Sequence, residues 1–262
     1  MKLLSTARDL TRRRARERTG LFVTEGVRAV EELLASPIGV PASGLLRGAL
    51  VSPALESTPR GVALRAVLDR VLDAASVSIL EVSDAELASA ADTESPQGIL
   101  VVAKQLEQSF DGLARPVSRL VVLDGVQDPG NVGTILRTSE ALGADAVVAL
   151  PGSADLWSAK VVRGAMGSRF RLPAFHASAD ALSDFCRASD VALWTADGEG
   201  EAVDSWTGRA PERLAIVVGN EGSGVSSALS AVAERSVAIP VRGVESLNVA
   251  IATGILLYAL RR

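Results

Sequence analysis

Polar residues with clear potential for chemistry are concentrated between residues 124 and 137. The apolar run Leu120–Leu123 before them predicts a buried strand, and Asp128-Pro129-Gly130 predicts a turn. The turn leads into a segment with helical spacing, which carries Asn131 near its start and Arg137 further along. An amide and a guanidinium on such a helix fit a phosphate-binding loop, and a well-capped core helix fits equally well.

The spacing of apolar residues predicts which side of this helix is open. Four of them share one face, at positions i, i+3, i+4 and i+10: Val132, Ile135, Leu136 and Leu142. At about 100° per residue, Arg137 points away from that face, alongside Gly133 and Thr134. The helix is therefore predicted to bury its apolar face and to present Arg137 on its open side.

Two later loops are also unusual. Residues 219–224 contain three glycines, which would let a ligand approach the backbone, although a glycine-rich turn without a ligand has the same composition. The loop matches neither a dinucleotide fingerprint nor a P-loop. Residues 240–246 precede a helix predicted at 246–260, with Ser246 as its N-cap. That helix is apolar nearly all round, so we expect either a subunit interface or a central core position.

Composition excludes several kinds of site. The single cysteine, Cys186, excludes an internal disulfide and a cysteine-based zinc site, and the single histidine, His176, argues against histidine metal clusters and triads. No metal is expected. The apolar run Val249–Leu260 is 12 residues long, whereas a membrane span needs about 20. With no apolar run after Met1-Lys2, the chain is expected to be soluble and cytoplasmic.

The net charge of −4 is poor support for nucleic-acid binding, but the charge is unevenly distributed. Residues 1–18 carry seven basic side chains against two acidic ones. This stretch fits a phosphate-binding element or a solvated basic helix equally well. Residues 160–171 carry four more cations among few acids, a composition that suits phosphates and that solvated surfaces also show.

Alternating strand and helix patterns predict an α/β protein with two domains. Residues 1–105 form a smaller α/β domain, 106–117 a linker, and 118–262 a parallel-sheet domain covered by helices on both faces. Ligands of such sheets bind at the carboxyl ends of the strands. The predicted strands of the second domain are Leu120–Leu123, Ala146–Leu150, Val191–Thr195, Leu214–Val218 and Ser236–Ile239, and its predicted helices are 131–142, 178–188, 225–231 and 246–260.

Together, the three loops resemble the signature motifs of the SpoU (TrmH-type) family of RNA 2′-O-ribose methyltransferases, in the SPOUT superfamily. The first motif is Asn131-x-Gly133-x-x-x-Arg137, the second is Gly219-Asn220-Glu221-Gly222-x-Gly224, and the third is Ile239-Pro240 with Ser246-Leu247-Asn248-Val249. The likeness covers roughly residues 118–262, and Arg163-Gly164-Ala165-Met166-Gly167-Ser168 also resembles a family segment. Phe22-Val23-Thr24-Glu25-Gly26 and Ser95-Pro96-Gln97-Gly98-Ile99 carry a looser likeness to the substrate-binding domain of many members.

The resemblance implies a function, a cofactor and a fold. It implies methyl transfer from S-adenosylmethionine to an RNA ribose, a homodimer through the C-terminal domain, and a C-terminal trefoil knot, which is a rare exception to unthreaded connections. The implied catalytic residues are Arg137, Asn131, Glu221, Ser246 and Asn248. The implied cofactor-binding residues are Gly219, Asn220, Gly222, Ile239, Leu247 and Asn248. The expected RNA-binding cations are Arg12, Arg13, Arg14, Arg16, Lys160, Arg163 and Arg169.

More than one catalytic role is compatible with an arginine at position 137. The family proposal makes the arginine the general base, yet a free guanidinium holds its proton to a pH above about 12. Arg137 would instead hold a phosphate or stabilise developing alkoxide, with Glu221 or water taking the proton.

Ribosomal RNA is the favoured substrate because of the two-domain form, with transfer RNA as the alternative. Other hypotheses are a non-catalytic RNA-binding or ribosome-assembly protein, a doubly wound oxidoreductase, which lacks its fingerprint here, and an antibiotic-resistance methyltransferase.

Overall fold

A computed structural model describes residues 2–35, 42–74, 76–114 and 116–261 of the chain. Backbone contacts divide the chain into two compact units. The N-terminal unit comprises Met1–Leu106 and Trp157–Arg171, and the C-terminal unit comprises Glu107–Leu156 and Leu172–Arg262. No helix in the described ranges is long and apolar enough to cross a membrane.

The N-terminal unit is built on a four-stranded mixed sheet in the order β1-β4-β2-β3, in which only β2 and β3 run parallel. A buried apolar cluster covers the sheet on the side of α3 and α5. The helix that begins at Asp84 is capped by Ser83 in a reciprocal arrangement with Glu86. The elements are α1 (Lys2–Asp9), α2 (Arg13–Thr19), β1 (Leu21–Glu25), α3 (Val27–Leu34), α4 (Ala42–Leu45), β2 (Leu46–Val51), α5 (Pro59–Ala74), β3 (Ile79–Glu81), α6 (Asp84–Ala88) and β4 (Ile99–Lys104).

The C-terminal unit contains a six-stranded sheet in the order β10-β8-β9-β5-β6-β7, and every pair in it is parallel. The predicted parallel sheet is thereby confirmed. The elements in chain order are β5 (Arg119–Asp124), α7 (Pro129–Ala141), β6 (Ala146–Ala149), α8 (Ala159–Gly164), β7 (Ala174–His176), α9 (Ala179–Ser189), β8 (Ala192–Ala202), β9 (Leu214–Gly219), α10 (Ser227–Val232), β10 (Arg235–Ala238) and α11 (Val249–Ala259), of which α8 belongs to the N-terminal unit.

Most differences from the predicted elements lie in short or extended segments. The three-residue strand β7 and the six-residue helix α8 were not predicted, because each is too short to show a clear period. Strand β8 continues past the predicted end at Thr195 to Ala202, through polar residues that pair with β10. This extension lacks the apolar signal on which the prediction depended.

The inserted segment Trp157–Arg171 packs into the core of the N-terminal unit. The ring centroid of Phe22 lies 4.5 Å from that of Trp157 and 6.0 Å from that of Phe170. Val162 is buried in the same cluster. Contiguity in the sequence had placed this segment with the second domain, so deletion of residues 1–105 would leave these apolar side chains without their partners.

The segment 106–117, expected to form a linker, supplies apolar side chains to both units: Leu106 packs against the core of the N-terminal unit, and three later side chains belong to the core of the C-terminal unit. Phe110 stacks on Phe185 at a centroid distance of 4.5 Å and meets the edge of Phe175 at 5.0 Å. Leu113 and Val117 are buried beside them. The apolar period is absent here because the segment is irregular, with one short 3₁₀ turn, and because exposed residues separate its few packed side chains.

Two glycines of the N-terminal unit give a matched test of backbone packing. Gly98 has φ +76°, and a Cβ at that position would lie 2.1 Å from the backbone nitrogen of Leu55. Gly20 has φ +63° with open space around it. We expect Gly20→Ala to lower the free energy of unfolding by roughly 1–2 kcal/mol, the cost of the left-handed backbone alone. We expect Gly98→Ala to lower it by more than about 3 kcal/mol, because the Leu55 backbone must also move.

Urea denaturation of the two variants and the parent chain at 25 °C measures both values. Equal destabilisation by the two substitutions would contradict the close approach of Gly98 to Leu55.

Candidate active site

A cavity of about 970 Å³ lies at the carboxyl edge of the C-terminal sheet. It is formed by the middle of β8, the ends of β9 and β10 with the loops that follow them, and α11. Its lining includes all six residues expected to bind the cofactor: Gly219, Asn220, Gly222, Ile239, Leu247 and Asn248. The structure thus brings two loops that are separate in the sequence around one space.

The glycine-rich loop after β9 is closed by its own backbone. The amides and carbonyls of Asn220 and Gly224 exchange two hydrogen bonds of 3.0 Å. The Asn220 side chain donates to the carbonyl of Gly125 at 2.9 Å and accepts from the amides of Gly222 and Ser223 at 2.9 and 3.1 Å. Asn220 therefore holds the second motif against the turn of the first.

Glycine occupies three positions of this loop for different physical reasons. A Cβ on Gly219 would lie 2.1 Å from the carbonyl carbon of Gly224, so glycine is required there for the loop to close on itself. Gly224 has φ +69°, a left-handed backbone that favours glycine. Around Gly222, a Cβ would meet only the side-chain oxygen of Asn220, at 3.6 Å. The space that would let a ligand approach the backbone is thus found at Gly222, whereas glycine at position 219 allows the loop to close on itself.

The helix after the third motif begins later than predicted. Asn248, not Ser246, is the N-cap of α11, and its side-chain oxygen accepts from the amides of Ala250 at 2.9 Å and Ile251 at 3.3 Å. Both serine and asparagine are good N-caps, so the composition alone did not distinguish them. Ser246 lies two residues upstream, exposed on the cavity lining.

A chain of three polar side chains joins the three motifs. Asn248 donates from Nδ2 to Oδ1 of Asn131 at 2.9 Å, and Asn131 donates from Nδ2 to Oε1 of Glu221 at 2.9 Å. The direction of this chain is determined, because Oδ1 of Asn248 is held by the helix amides and a carboxylate accepts only. Asn131 and Asn248 each retain a second side-chain N–H for a ligand.

Glu221 is held by amide donors. Partial burial acts to raise the pKa of its carboxyl, but hydrogen bonds from Asn131, from its own backbone and from the amides of Gln127 and Asp128 outweigh this, so the pKa is lowered. A carboxylate with a lowered pKa binds a proton weakly. Glu221 is therefore better suited to orienting Asn131 than to accepting a proton from a substrate.

Two aspartates just before the first motif have structural roles that the sequence did not predict. Asp128 is the N-cap of α7, and its Oδ1 accepts from the amide of Gly130 at 2.7 Å. Asp124, at the end of β5, accepts from the amide of Ser226 at 2.7 Å. An aspartate before Pro-Gly is a recognisable cap signal, but the pairing with Ser226 spans 102 residues and has no local signature.

Arg137 is exposed on α7, as predicted, together with Thr134. Gly133, expected on the same open side, is buried with Val132, Ile135 and Leu136. Within the described residues, the guanidinium of Arg137 makes no hydrogen bond or ion pair, and it does not line the cavity. It is accordingly available to a group supplied from outside the chain.

Comparison with known families agrees with the motif arrangement. Residues 118–258, more than half of the chain, match the model of the SpoU rRNA Methylase family. Residues 4–101 match a second model, the MRM3-like substrate binding domain. The chain belongs to the SpoU rRNA methylase family. The likeness inferred from the three motifs is confirmed.

Individual relatives and solved structures extend the match to almost the whole chain. The 23S rRNA (guanosine(2553)-2′-O)-methyltransferase RlmP of Bacillus subtilis is 33% identical over 97% of this chain and 94% of its own length. An AdoMet-bound rRNA methyltransferase from Sinorhizobium meliloti superposes with a TM-score of 0.84 at 27% identity, covering 99% of this chain and 94% of that chain. The SpoU methyltransferase AviRb from Streptomyces viridochromogenes, in complex with AdoMet, superposes with a TM-score of 0.86 at 25% identity, covering 99% and 97%.

Two of the cations expected to bind RNA in this SpoU protein are buried instead. Arg16 donates from Nη1 to the carbonyls of Leu10 and Thr11 at 2.7 and 2.9 Å, so it ties together the turn between α1 and α2. Arg169 is fully buried, with its guanidinium 3.5 Å from the centroid of Trp157. Neither side chain is exposed for contact with RNA, and both expectations are corrected.

The other cations of the N-terminal unit lie nearer the surface. Arg12, at the start of α2, forms an exposed ion pair with Asp9 of α1 at 3.0 Å, and Arg13 forms one with Glu17 within α2 at 2.8 Å. Exposed pairs of this kind are weak and exchange readily for a phosphate. Arg14 and Lys160 are exposed as well. The surface position of these four side chains is compatible with the role expected for them.

The lowered pKa of Glu221 predicts a pH-dependent contribution to stability. A carboxylate with a depressed folded-state pKa stabilises the fold at pH above the unfolded-state value, about 4.3 for glutamate. This contribution is lost as the pH falls through the folded-state pKa. We therefore expect the difference in unfolding free energy between the parent chain and Glu221→Gln to be largest near neutral pH and to shrink below pH of about 4.

Urea denaturation at a series of pH values measures that difference. As a control, Asn131→Ala removes a donor to Glu221 and should raise its pKa, seen by ¹³C NMR titration of the carboxyl. A stability difference that is constant with pH, with no pKa change in Asn131→Ala, would rule out this interaction.

Proposed function

We propose that this protein transfers a methyl group from S-adenosylmethionine to a ribose 2′-hydroxyl of RNA, with ribosomal RNA as the substrate. The observation that carries the proposal is the chain from Asn248 through Asn131 to Glu221, which assembles the three family motifs beside one cavity. RlmP of Bacillus subtilis, which matches this chain over nearly its full length, acts on 23S rRNA. Transfer RNA is the alternative substrate within the same reaction class.

The cavity has the chemistry of a site for a cationic cofactor. Carboxylates of Asp197, Glu221 and Glu245 belong to its lining, and they favour a ligand that carries positive charge. Gly222 and the backbone around Ile239 and Leu247 leave surface for an adenosine group. When bound, S-adenosylmethionine supplies a methyl group activated by its sulfonium. Asp197 and Glu245 were missed from the sequence, because lone acids in polar loops carry no distinctive signal.

The chain's polar residues are arranged to position a hydroxyl. The second N–H of Asn131 and that of Asn248 remain available, and their direction is set by the bonds that each amide already makes. Fixed donors of this kind orient a substrate oxygen without reorganisation. Ser246, exposed on the cavity lining, supplies a further hydroxyl close to Asn248 in the chain. These three residues would hold the ribose for attack on the methyl group.

We assign solvent water as the acceptor of the proton that the ribose 2′-hydroxyl loses. Arg137 carries a guanidinium, which has N–H donors and no acceptor atom that could take a proton. Glu221 is occupied by amide donors that lower its pKa. Arg137 is instead suited to hold a phosphate next to the target ribose or to stabilise negative charge on the attacking oxygen.

The N-terminal unit would bind the RNA outside the reacting nucleotide. We assign this role to its exposed cations Arg12, Arg13, Arg14 and Lys160 and to the partly exposed Arg163, and leave out the buried Arg16 and Arg169. Cytoplasm is the proposed compartment, which accords with an RNA substrate and with a chain that has a single, buried cysteine.

A homodimer through the C-terminal unit is also part of the proposal. Helix α11 exposes Ile251, Ile255 and Tyr258, at spacings of four and three, so they form one apolar face. Ile251 is 57% exposed and Tyr258 56% exposed. A second copy of this chain would cover this face, since an isologous interface buries the same residues on both protomers.

The proposed activity is tested by incubating the protein with labelled S-adenosylmethionine and either 23S rRNA or a tRNA pool, followed by mass mapping of 2′-O-methyl sites. Methylation of 23S rRNA supports the proposal, and methylation of tRNA alone replaces the substrate. Cofactor binding in isothermal titration without transfer to either RNA would favour a non-catalytic RNA-binding protein.

Exchange of Arg137 separates catalysis from cofactor binding. Because Arg137 is exposed and does not line the cavity, Arg137→Ala should leave the affinity for S-adenosylmethionine unchanged. Methyl transfer should fall on the order of 100-fold or more, as expected when a charge-stabilising donor is lost. Titration calorimetry and single-turnover transfer measure the two quantities. Arg209→Ala, at another exposed arginine of the same unit, is the matched control and should retain full activity; near-normal turnover in Arg137→Ala would overturn the assignment.

A charge on the exposed face of α11 should prevent dimer formation. Ile251→Asp places a carboxylate in the apolar face, so we expect light scattering to give half the mass found for the parent chain. Val62→Asp, at an equally exposed valine in α5 of the N-terminal unit, should leave the mass unchanged. A monomeric parent chain, or a dimer that persists in Ile251→Asp, would contradict the proposed interface.

A further inference from the structure

A second cavity, of about 210 Å³, lies entirely in the N-terminal unit. It is formed where β1 passes into α3, together with residues 93–97 and the end of α8. None of the three family motifs contributes to it. Its size suits a group of a few heavy atoms and not a whole nucleotide.

The negative charges at this cavity are already bonded. Glu25 is buried, with only 4% of its side chain exposed. One of its oxygens accepts from the amide of Asp92 at 2.8 Å, and the other accepts from Nη1 of Arg163. Asp92 accepts in turn from Nη2 of Arg163 at 3.2 Å. Two carboxylates therefore anchor one guanidinium at the edge of the cavity.

Several N–H donors around the cavity are not used by these two carboxylates. A guanidinium has five N–H groups, and the two carboxylates use one each on Nη1 and Nη2 of Arg163, whose side chain remains 40% exposed. Gln97 accepts from the amide of Val27 through Oε1 at 2.9 Å, which turns its NH₂ group away from that bond. Arg28 is exposed on the lining, and within the described residues its guanidinium has no partner.

The cavity wall is completed by a strained turn. Met166 lines the cavity and has φ +52°, a left-handed backbone that a residue with a side chain rarely adopts. Such residues concentrate at ligand-binding sites, where the surrounding structure holds them in place. Met166 and Ala29 give the cavity an apolar wall opposite its donors.

A cavity with spare donors from two guanidiniums and an amide fits a small anion rich in acceptors. We propose that it binds a phosphodiester group of the RNA substrate, between Arg28 and Arg163. This inference rests on the proposed function for the identity of the RNA. Arginine suits the site because its planar fork matches two phosphate oxygens. A phosphate contact sets the position of the RNA without reading its bases, so it should affect KM for RNA and not kcat.

Variants of Arg28 test the site, because this exposed side chain can be changed without disturbing the buried Glu25. With a 23S rRNA transcript as the probe, Arg28→Gln should weaken binding on the order of tenfold, the effect of losing a charge-assisted pair. It should also reduce the slope of log affinity against log salt by about 0.7–0.9. Arg28→Lys should recover part of the loss. Arg70→Gln, at an exposed arginine of the same unit that bonds only to its own helix, should match the parent chain.

Neutral linkages in the RNA locate the phosphate. Methylphosphonates introduced one at a time into a synthetic substrate fragment should reveal one position where neutralisation weakens binding to the parent chain about tenfold. The same linkage should cause no further loss in Arg28→Gln, since both changes remove one interaction. Additive losses at every position, or binding by Arg28→Gln equal to that of the parent chain, would overturn the proposal.

Two readouts separate this inference from the proposed function. If the parent chain binds RNA but transfers no methyl group, the proposed function fails while the Arg28 cycle still reports on the phosphate site. If transfer occurs with unchanged KM in Arg28→Gln, only the phosphate site fails. A separate experiment uses inorganic phosphate alone. If phosphate raises the thermal stability of the parent chain but not of Arg28→Gln, while both proteins bind RNA with equal affinity, the cavity is a site for a free anion and the RNA assignment is overturned.

Discussion

The side-chain oxygen of Asn248 accepts the first amides of α11, and this cap determines the orientation of the polar groups that follow. Since the oxygen is used by the helix, the amide nitrogen must face Asn131, whose own nitrogen must then face Glu221. The cap of α11 thereby determines the hydrogen-bonding direction of the side chains that join the three motifs. The donors of the site are therefore preorganised, because the side-chain amides of Asn131 and Asn248 already have a fixed orientation before a substrate binds.

Close backbone approach is the second constraint on the site. Gly219 lies against the backbone of Gly224, and a Cβ on Gly254 in α11 would lie 3.2 Å from the methyl carbon of Thr138 in α7. The first contact closes the loop beside the cavity, and the second lets the helix that begins at Asn248 pack against the helix that carries Asn131 and Arg137. Closure of the loop therefore requires glycine at position 219, whereas a Cβ on Gly254 would require the Thr138 methyl group to move by a few tenths of an ångström.

The sequence predicted the parallel sheet, the strand-end loops and the grouping of the cofactor-site residues, because apolar runs and motif spacing are local signals. It did not predict the burial of Arg16 and Arg169, since a charge run looks the same whether its guanidiniums bond to backbone carbonyls, stack on a tryptophan or face solvent. Ser246 and Asn248 are both good caps, and only the path of the chain selects between them. The partners Glu25 and Arg163 lie 138 residues apart, beyond the reach of any pattern.

The inserted segment Trp157–Arg171 has a consequence for synthesis of the chain. Phe22 packs on Trp157 and Phe170, so the core of the N-terminal unit contains residues translated after β5, α7 and β6 of the other unit. Domains usually fold in order as they leave the ribosome. Here the first unit stays incomplete until Phe170 has emerged, by which time part of the second sheet is already available. The N-terminal unit is therefore completed only after part of the C-terminal unit has been synthesised, so it cannot mature as an independent N-terminal half.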